Sequence, residues 1–326
     1  MQSTWQEKAV ELALEGNSYR SIARMLNVPN STCGDHLRKH FKALTSNDLS
    51  RDDRKVVAWP KKPQNAVKSH MIIADTQCKP GVDITYMSAI GEFAAEKQPD
   101  VIIHIGDHYD FESLSSYDKG KKSFEGRRLL ADIQAGNDGF DALMKPIKEL
   151  QDNQRSAGEK VYSPRLVFCE GNHENRFDRL GDNMPELDGF VGVQTLHIEK
   201  WGFEVIPFLK PVDIDGIFYV HYLANPFTGK PYGGTALNQL KTIGRSFVVG
   251  HKQTLDVAIR PTIDGKMQIG VINGACYEHD EAYKGYQGNN HFRGITVLHE
   301  VNDGFGIPMF VSLDYLQRKL KEKKNG

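Results

Sequence analysis

Val101-Ile102-Ile103-His104-Ile105-Gly106-Asp107-His108-Tyr109-Asp110 is the stretch from which the rest of the chain is read. A short β-branched apolar run that stops at Gly-Asp has the form of a buried strand entering a polar loop. Two other runs share it. His70-Met71-Ile72-Ile73-Ala74 stops at Asp75, and Arg165-Leu166-Val167-Phe168-Cys169 stops at Gly171-Asn172-His173. Helical spacing over 84–97 and 125–150 lies between them. The order is therefore βαβαβ, which predicts an α/β layered fold. Further strands are expected at Ile217–Tyr222, Ser246–Val249, Leu255–Arg260, Met267–Ile272, Ile295–Val301 and Ile307–Leu313. Asn302-Asp303-Gly304 is a hairpin turn between the last two.

The expected strand ends carry a recurring chemistry. In order they are Asp75-Thr76-Gln77, Gly106-Asp107-His108-Tyr109-Asp110, Gly171-Asn172-His173-Glu174, His221, and Gly250-His251-Lys252-Gln253. In open α/β sheets, sites form at this edge. Two Asp, one Asn and three His from separate strand ends are a ligand mixture suited to divalent cations. Each residue alone has a plainer reading: Asp75 and Asp107 as helix caps, His221 as a core histidine. His104 has the position of a structural residue. His108 lies in the site loop and is a candidate for substrate contact. Cys78 and Cys276 read as packing residues.

Taken together the motifs resemble the calcineurin-like metallophosphoesterases, whose pattern is DxH, GDxxD, GNH[DE], a lone His, then GHxH. The resemblance spans roughly residues 70–275. It implies an αββα sandwich holding two divalent cations, Mn²⁺ foremost, with Mg²⁺, Zn²⁺ or Fe as other candidates. It implies Asp107 as the bridging carboxylate and Asn172, His221 and His251 on the second cation. The first would take Asp75 and the positions of Gln77 and Gln253, both His in the family pattern. Two readings of those glutamines stand open: a site selecting an oxygen-preferring ion, or a degraded site with one metal or none. The resemblance further implies His173 as the group serving the leaving oxygen, with Asp110 orienting it. Arg176 is a candidate phosphate ligand, or else a surface salt-bridge partner of Glu174 or a nearby acid.

Residues 1–44 read as three helices. Trp5, Ala9, Leu12 and Ala13 share one face, Ile22, Ala23 and Leu26 a second, and Cys33, Leu37 and Phe41 a third. Ser18 suits the cap of the second helix, and Asn30 or Ser31 that of the third. Gly16 to Cys33 resembles the helix-turn-helix of resolvase and transposase DNA-binding domains. That implies a third helix in the major groove, presenting Ser31, Thr32, Asp35, His36, Arg38, Lys39 and Lys42. Lys39, Lys42 and Arg24 suit phosphates, and Asp35 and His36 base edges. A protein-interaction module is the other reading. Residues 45–69 read as a linker, 70–315 as the phosphoesterase domain and 316–326 as a basic tail that frays.

Composition bounds the classes. The chain has 326 residues and a net charge of -1, so as a whole it is no polybasic nucleic-acid binder. Residues 1–66 nevertheless hold eleven Lys and Arg against seven Asp and Glu. Four scattered cysteines without a CxxC pair argue against a disulfide scaffold or thiolate zinc site. No signal peptide or membrane span is read, so a cytoplasmic protein is expected. The combined expectation is a metal-dependent phosphoesterase tethered to a DNA-binding domain, most economically a nuclease acting on DNA. A phosphomonoesterase for nucleotides, DNA ends or phosphoproteins, and a DNA-binding protein with a degraded metal site, are the alternatives. The combination resembles proteins encoded by tailed bacteriophages.

Overall fold

The structure, a computed structural model, describes residues 4–15, 17–46, 67–116, 120–281 and 284–325, apart from the side chains of 41–46, 123, 285, 286, 324 and 325. Most of the expected linker and the side chains of Phe41 and Lys42 lie outside the described residues. The chain divides into two compact units, Met1–Ala66 and Val67–Gly326.

The first unit contains α1 (Trp5–Leu14), α2 (Tyr19–Met25) and α3 (Asn30–Ser46). Thr4 and Glu7 form a reciprocal capping box on α1, and the Ser18 hydroxyl accepts from the Ser21 amide. The expected faces converge: Ala9, Ala13, Ile22, Ala23, Cys33 and Leu37 form one buried cluster. The turn between α2 and α3 passes through Asn27, whose φ is 52°. α3 starts at Asn30, with the Cys33 amide donating to the Pro29 carbonyl. Helix entry thus lies at Pro29, one residue before the expected caps.

The second unit is α/β with two mixed sheets. The first follows the order β11 (Phe305–Ser312), β10 (Gly294–Asn302), β1 (Lys68–Ile73), β2 (Val101–His104), β3 (Arg165–Cys169), β4 (Glu204–Ile206). The second runs β5 (Val212–Ile214), β6 (Ile217–Tyr219), β7 (Phe247–Val249), β9 (Met267–Ile272), β8 (Asp256–Pro261). β1, β2 and β3 are mutually parallel, as are β6, β7 and β9, so their carboxyl ends gather at shared edges.

Side-chain alternation builds the layers. Ile72, Ala74, Ile103 and Val167 pack with Ile217, Tyr219, Val248 and Val271, so one buried cluster joins the two sheets. On the other face of the first sheet, Met71, Ile73, Ile102 and Phe168 pack with α4 (Thr85–Lys97), α5 (Leu129–Ala157) and α9 (Leu313–Asn325). Phe247 and Val249, pointing away from Val248, pack with Ala236 and Leu240 of α7 (Ala236–Ile243).

Three expectations change. The basic C-terminal stretch is a helix, not a frayed tail. Leu313, Leu316 and Leu320 are buried at i, i+3, i+7, while Lys319 and Lys323 pair with Glu96 and Glu92 of α4. The charged residues masked that apolar stripe. α5 begins later than expected and runs past residue 150 to Gly158, whose φ of 68° ends it. Polar residues carry its last turns, Gln151 and Gln154 bonding the backbone of Tyr162. β4, β5, α6 (Glu174–Asn183), α7 and α8 (Gly285–Gly288) have no counterpart in the sequence reading, because the strands have three residues each and the helices ten or fewer. The Asn302-Asp303-Gly304 turn joins β10 and β11 as expected, with positive φ at Asp303 and Gly304.

Candidate metal centre

Each candidate ligand follows the carboxyl end of a parallel strand: Asp75 after β1, Asp107 after β2, Asn172 after β3, His221 after β6 and His251 after β7. The loops interlock tightly. A Cβ on Gly106 would lie 2.4 Å from the Gly171 nitrogen, and one on Gly171 2.2 Å from the Asp107 carboxylate. Glycine at both positions lets the β2 and β3 loops touch backbone to backbone.

Five candidate ligands occupy the left-handed region: φ is 48° at Asp75, 40° at Gln77, 51° at Asp107, 66° at His251 and 58° at Gln253. For L residues this costs about 1–2 kcal/mol each and persists where the surroundings impose it. Neither Asp75 nor Asp107 caps the helix that follows it in the chain; α4 begins at Thr85, and Ile84 before it supplies no side-chain cap.

Asp107, His221 and His251 place ligand atoms within 4.8 Å of one another. His221 Nδ1 donates to the Ile105 carbonyl at 2.8 Å. Its Nε2 faces Asn172 Oδ1 at 2.9 Å and Asp107 Oδ2 at 3.3 Å. His251 Nδ1 meets the same Asn172 oxygen at 2.7 Å. In a neutral His221 ring these are lone pairs facing lone pairs, so the arrangement calls for positive charge. Without a metal a second ring proton supplies it: against burial, Asp107 drives His221 up to about 9. Burial and His221 push His251 down to about 4, leaving it a neutral donor of electron pairs. Burial opposes ionisation of Asp107, but His173 and His221 hold its carboxyl well below the usual range. Two imidazoles, an amide oxygen and an ionised carboxylate fit a divalent cation.

The other expected position differs. Gln253 donates its amide to Asp75 Oδ1 at 3.4 Å, while its oxygen accepts from Tyr277 at 2.7 Å. Its only ligand-capable atom is thus engaged. Gln77 is fully buried, with neither amide atom hydrogen-bonded. Burial, with Asp107 adding to it, pushes Asp75 up to about 7.

His173 Nδ1 lies 2.8 Å from both the carbonyl and the carboxylate of Asp110. Arg176 donates to the Asp110 carbonyl at 3.0 Å and to His173 Nε2 at 2.9 Å. The structure gives Arg176 these partners rather than Glu174. Asp107, Asp110, Asn172, His173, Arg176 and His251 line one cleft of about 520 Å³, with Lys121, Arg127, Lys252 and Lys284 also on its wall. A second groove of about 520 Å³, between α4, α5 and α9, gathers none of these groups.

Glu174 was missed as a functional residue. It is fully buried and accepts four backbone N–H groups, from Asp107, His108, Tyr109 and Gly171, at 2.8–2.9 Å. The acidic position closing the GNH[DE] motif was the available signal. Lys79, half-buried beside Asp110 at 3.5 Å and Glu281 at 2.7 Å, had no motif position. His108 does not reach the cleft. A directional chain runs from the Gly106 amide to His104, then Thr76, then His108, and ends on the Gly136 carbonyl. His108 is therefore structural, like His104. Cys78 and Cys276 are buried, and burial raises both thiols to about 12, in keeping with packing roles.

In the first unit Ser31, Thr32, Asp35, Arg38, Lys39 and Arg24 are exposed, and Asp35 pairs with Arg38 at 2.7 Å. His36 instead stands edge-on to Trp5 of α1, ring centroids 5.4 Å apart, and so serves the helix packing.

No family model matches the chain. It is similar to the Gene 54 protein of Mycobacterium phage D29, 28% identical over 189 residues, covering 56% of this chain and 68% of that protein. The Gene 54 protein of Mycobacterium phage L5 is 26% identical over the same coverage. These phage relatives support a phage origin. One solved structure aligns with a TM-score of 0.30 and 14% identity, over 76% of this chain and 99% of that one. Among the described residues no helix is long and apolar enough to cross a membrane.

Proposed function

We propose that the second unit is a metal-dependent phosphoesterase of calcineurin-like architecture, and that the first directs it to DNA, making the chain a nuclease. The observation that carries this reading is the meeting of Asp107, Asn172, His221 and His251 beside His173–Asp110 at one cleft whose wall carries both basic and acidic residues.

Asp107, Asn172, His221 and His251 would hold a divalent cation, which supplies Lewis acidity and activates water near neutral pH. The chain's own residues do the rest. Arg176, with Lys121, Arg127 and Lys252 on the same wall, binds the phosphate and orients it. Asp110 fixes the His173 ring through Nδ1, leaving Nε2 to serve the leaving oxygen. Glu174 holds the β2 and β3 loops in register, so Asp107 keeps its aim.

The exposed Lys39, Arg38 and Arg24 support DNA binding by the first unit, through phosphate contacts. Supplying Mn²⁺, Mg²⁺ or Zn²⁺ against a nitrophenyl monoester, a nitrophenyl diester, duplex DNA and RNA tests the reading. Diester and DNA cleavage is expected, strongest with Mn²⁺. Monoester turnover alone would favour a phosphomonoesterase, and no turnover with any metal would contradict the proposal.

A further inference from the structure

The position that the resemblance assigns to a first cation is filled by a hydrogen-bonded chain. Lys284 Nζ donates to the Tyr277 hydroxyl at 2.8 Å. Tyr277 donates to Gln253 Oε1 at 2.7 Å, and Gln253 Nε2 donates to Asp75 Oδ1 at 3.4 Å. Every donor points the same way, from ammonium to carboxylate. Such chains polarise cooperatively, so the charge of the Lys284 ammonium strengthens each bond in the run toward Asp75.

Tyr277, Gln253 and Asp75 are almost fully buried, which leaves the relay little competition from water. Both Asp75 oxygens accept a hydrogen bond in this arrangement, Oδ2 from the His251 amide at 3.1 Å.

We infer that the centre holds one divalent cation, on Asp107, Asn172, His221 and His251, and that Lys284 replaces the other as the anion-binding charge. Lys284 lines the same cleft as His173 and Arg176. Gln253 suits this arrangement: its amide accepts from Tyr277 at one end and donates to Asp75 at the other. The inference rests on the phosphoesterase reading for the nature of the anion, but its test reads stoichiometry rather than turnover.

Manganese is counted on the full chain by equilibrium dialysis, and inorganic phosphate is then titrated into the loaded protein. Wild type and Lys284→Ala are each expected to bind one Mn²⁺ per chain, and Asp107→Ala none. Phosphate should bind Lys284→Ala about tenfold more weakly than wild type, with partial recovery in Lys284→Arg. Two ions per wild-type chain would overturn the inference while leaving the phosphoesterase reading intact. Unchanged phosphate affinity in Lys284→Ala would overturn the role of Lys284. No bound ion would overturn both this inference and the metal-centre reading beneath it.

Discussion

Asp110 holds His173 by its side chain and its main chain at once, with carboxylate and carbonyl oxygens each 2.8 Å from Nδ1. Two acceptors on one ring nitrogen fix the proton there and turn Nε2 toward the cleft, where it accepts from Arg176. A phosphate that draws the Arg176 guanidinium to itself would free Nε2 for proton transfer.

His173→Ala is therefore expected to lower turnover by roughly 10²–10⁴ for poor leaving groups, and by less for nitrophenolate, with metal still bound. The pH dependence has a sign. Asp107 and Asp110 raise the His173 pKa, against burial and Arg176. The protonated ring then persists to higher pH, and turnover falls as pH rises through that pKa. Asp110→Asn removes one charge, so the alkaline limb should move to lower pH. A pH–rate profile of wild type and variant checks the shift.

Glu174→Ala leaves four backbone N–H groups in a buried site without their acceptor, at about 1–3 kcal/mol for each one water fails to reach. Loss of the fold is the expected outcome. Glu174→Gln keeps an acceptor and should fold with a lower Tm and metal affinity weaker by about 10–100-fold. Thermal melts and metal titration read the two effects separately.

The His104–Thr76–His108 chain works only with neutral rings. Burial lowers both histidines, His108 to about 4. Unfolding then takes up protons between about pH 6.5 and 4, so the stability these rings contribute is full above 6.5 and declines as pH falls toward 4. For His108 the full loss is about 3 kcal/mol. Denaturant melts of wild type and His108→Gln across that range should show a shallower slope in the variant.

On α3, Lys39→Ala and on α2, Arg24→Ala should weaken duplex binding by the full chain on every sequence and reduce its salt dependence. His36→Ala should lower the stability of the first unit instead, because its ring stands against Trp5. Fluorescence anisotropy against salt, with amide exchange over α1 and α3, distinguishes the two behaviours.

The strand-loop framework was legible because β1, β2 and β3 are buried on both faces and so appear as unbroken apolar runs ending in polar residues. The Asn302-Asp303-Gly304 turn was legible because positive φ selects its residue types. What stayed hidden has no local signature. The apolar stripe of α9 is diluted by lysines that pair with Glu96 and Glu92 of α4. The Lys284–Tyr277–Gln253 chain depends on a loop brought back to Asp75 only by the fold, with Tyr277 lying 24 positions after Gln253. The inward position of His108 was hidden for the same reason, since Gly136 approaches it from α5.

The central claim is tested most directly by diester turnover of the chelator-stripped full chain, before and after Mn²⁺ is restored, in wild type and His221→Ala. Stripped wild type should be inactive and regain turnover with Mn²⁺, while His221→Ala should regain little at the same Mn²⁺ concentration. Undiminished turnover after stripping, or equal recovery in His221→Ala, would contradict the account.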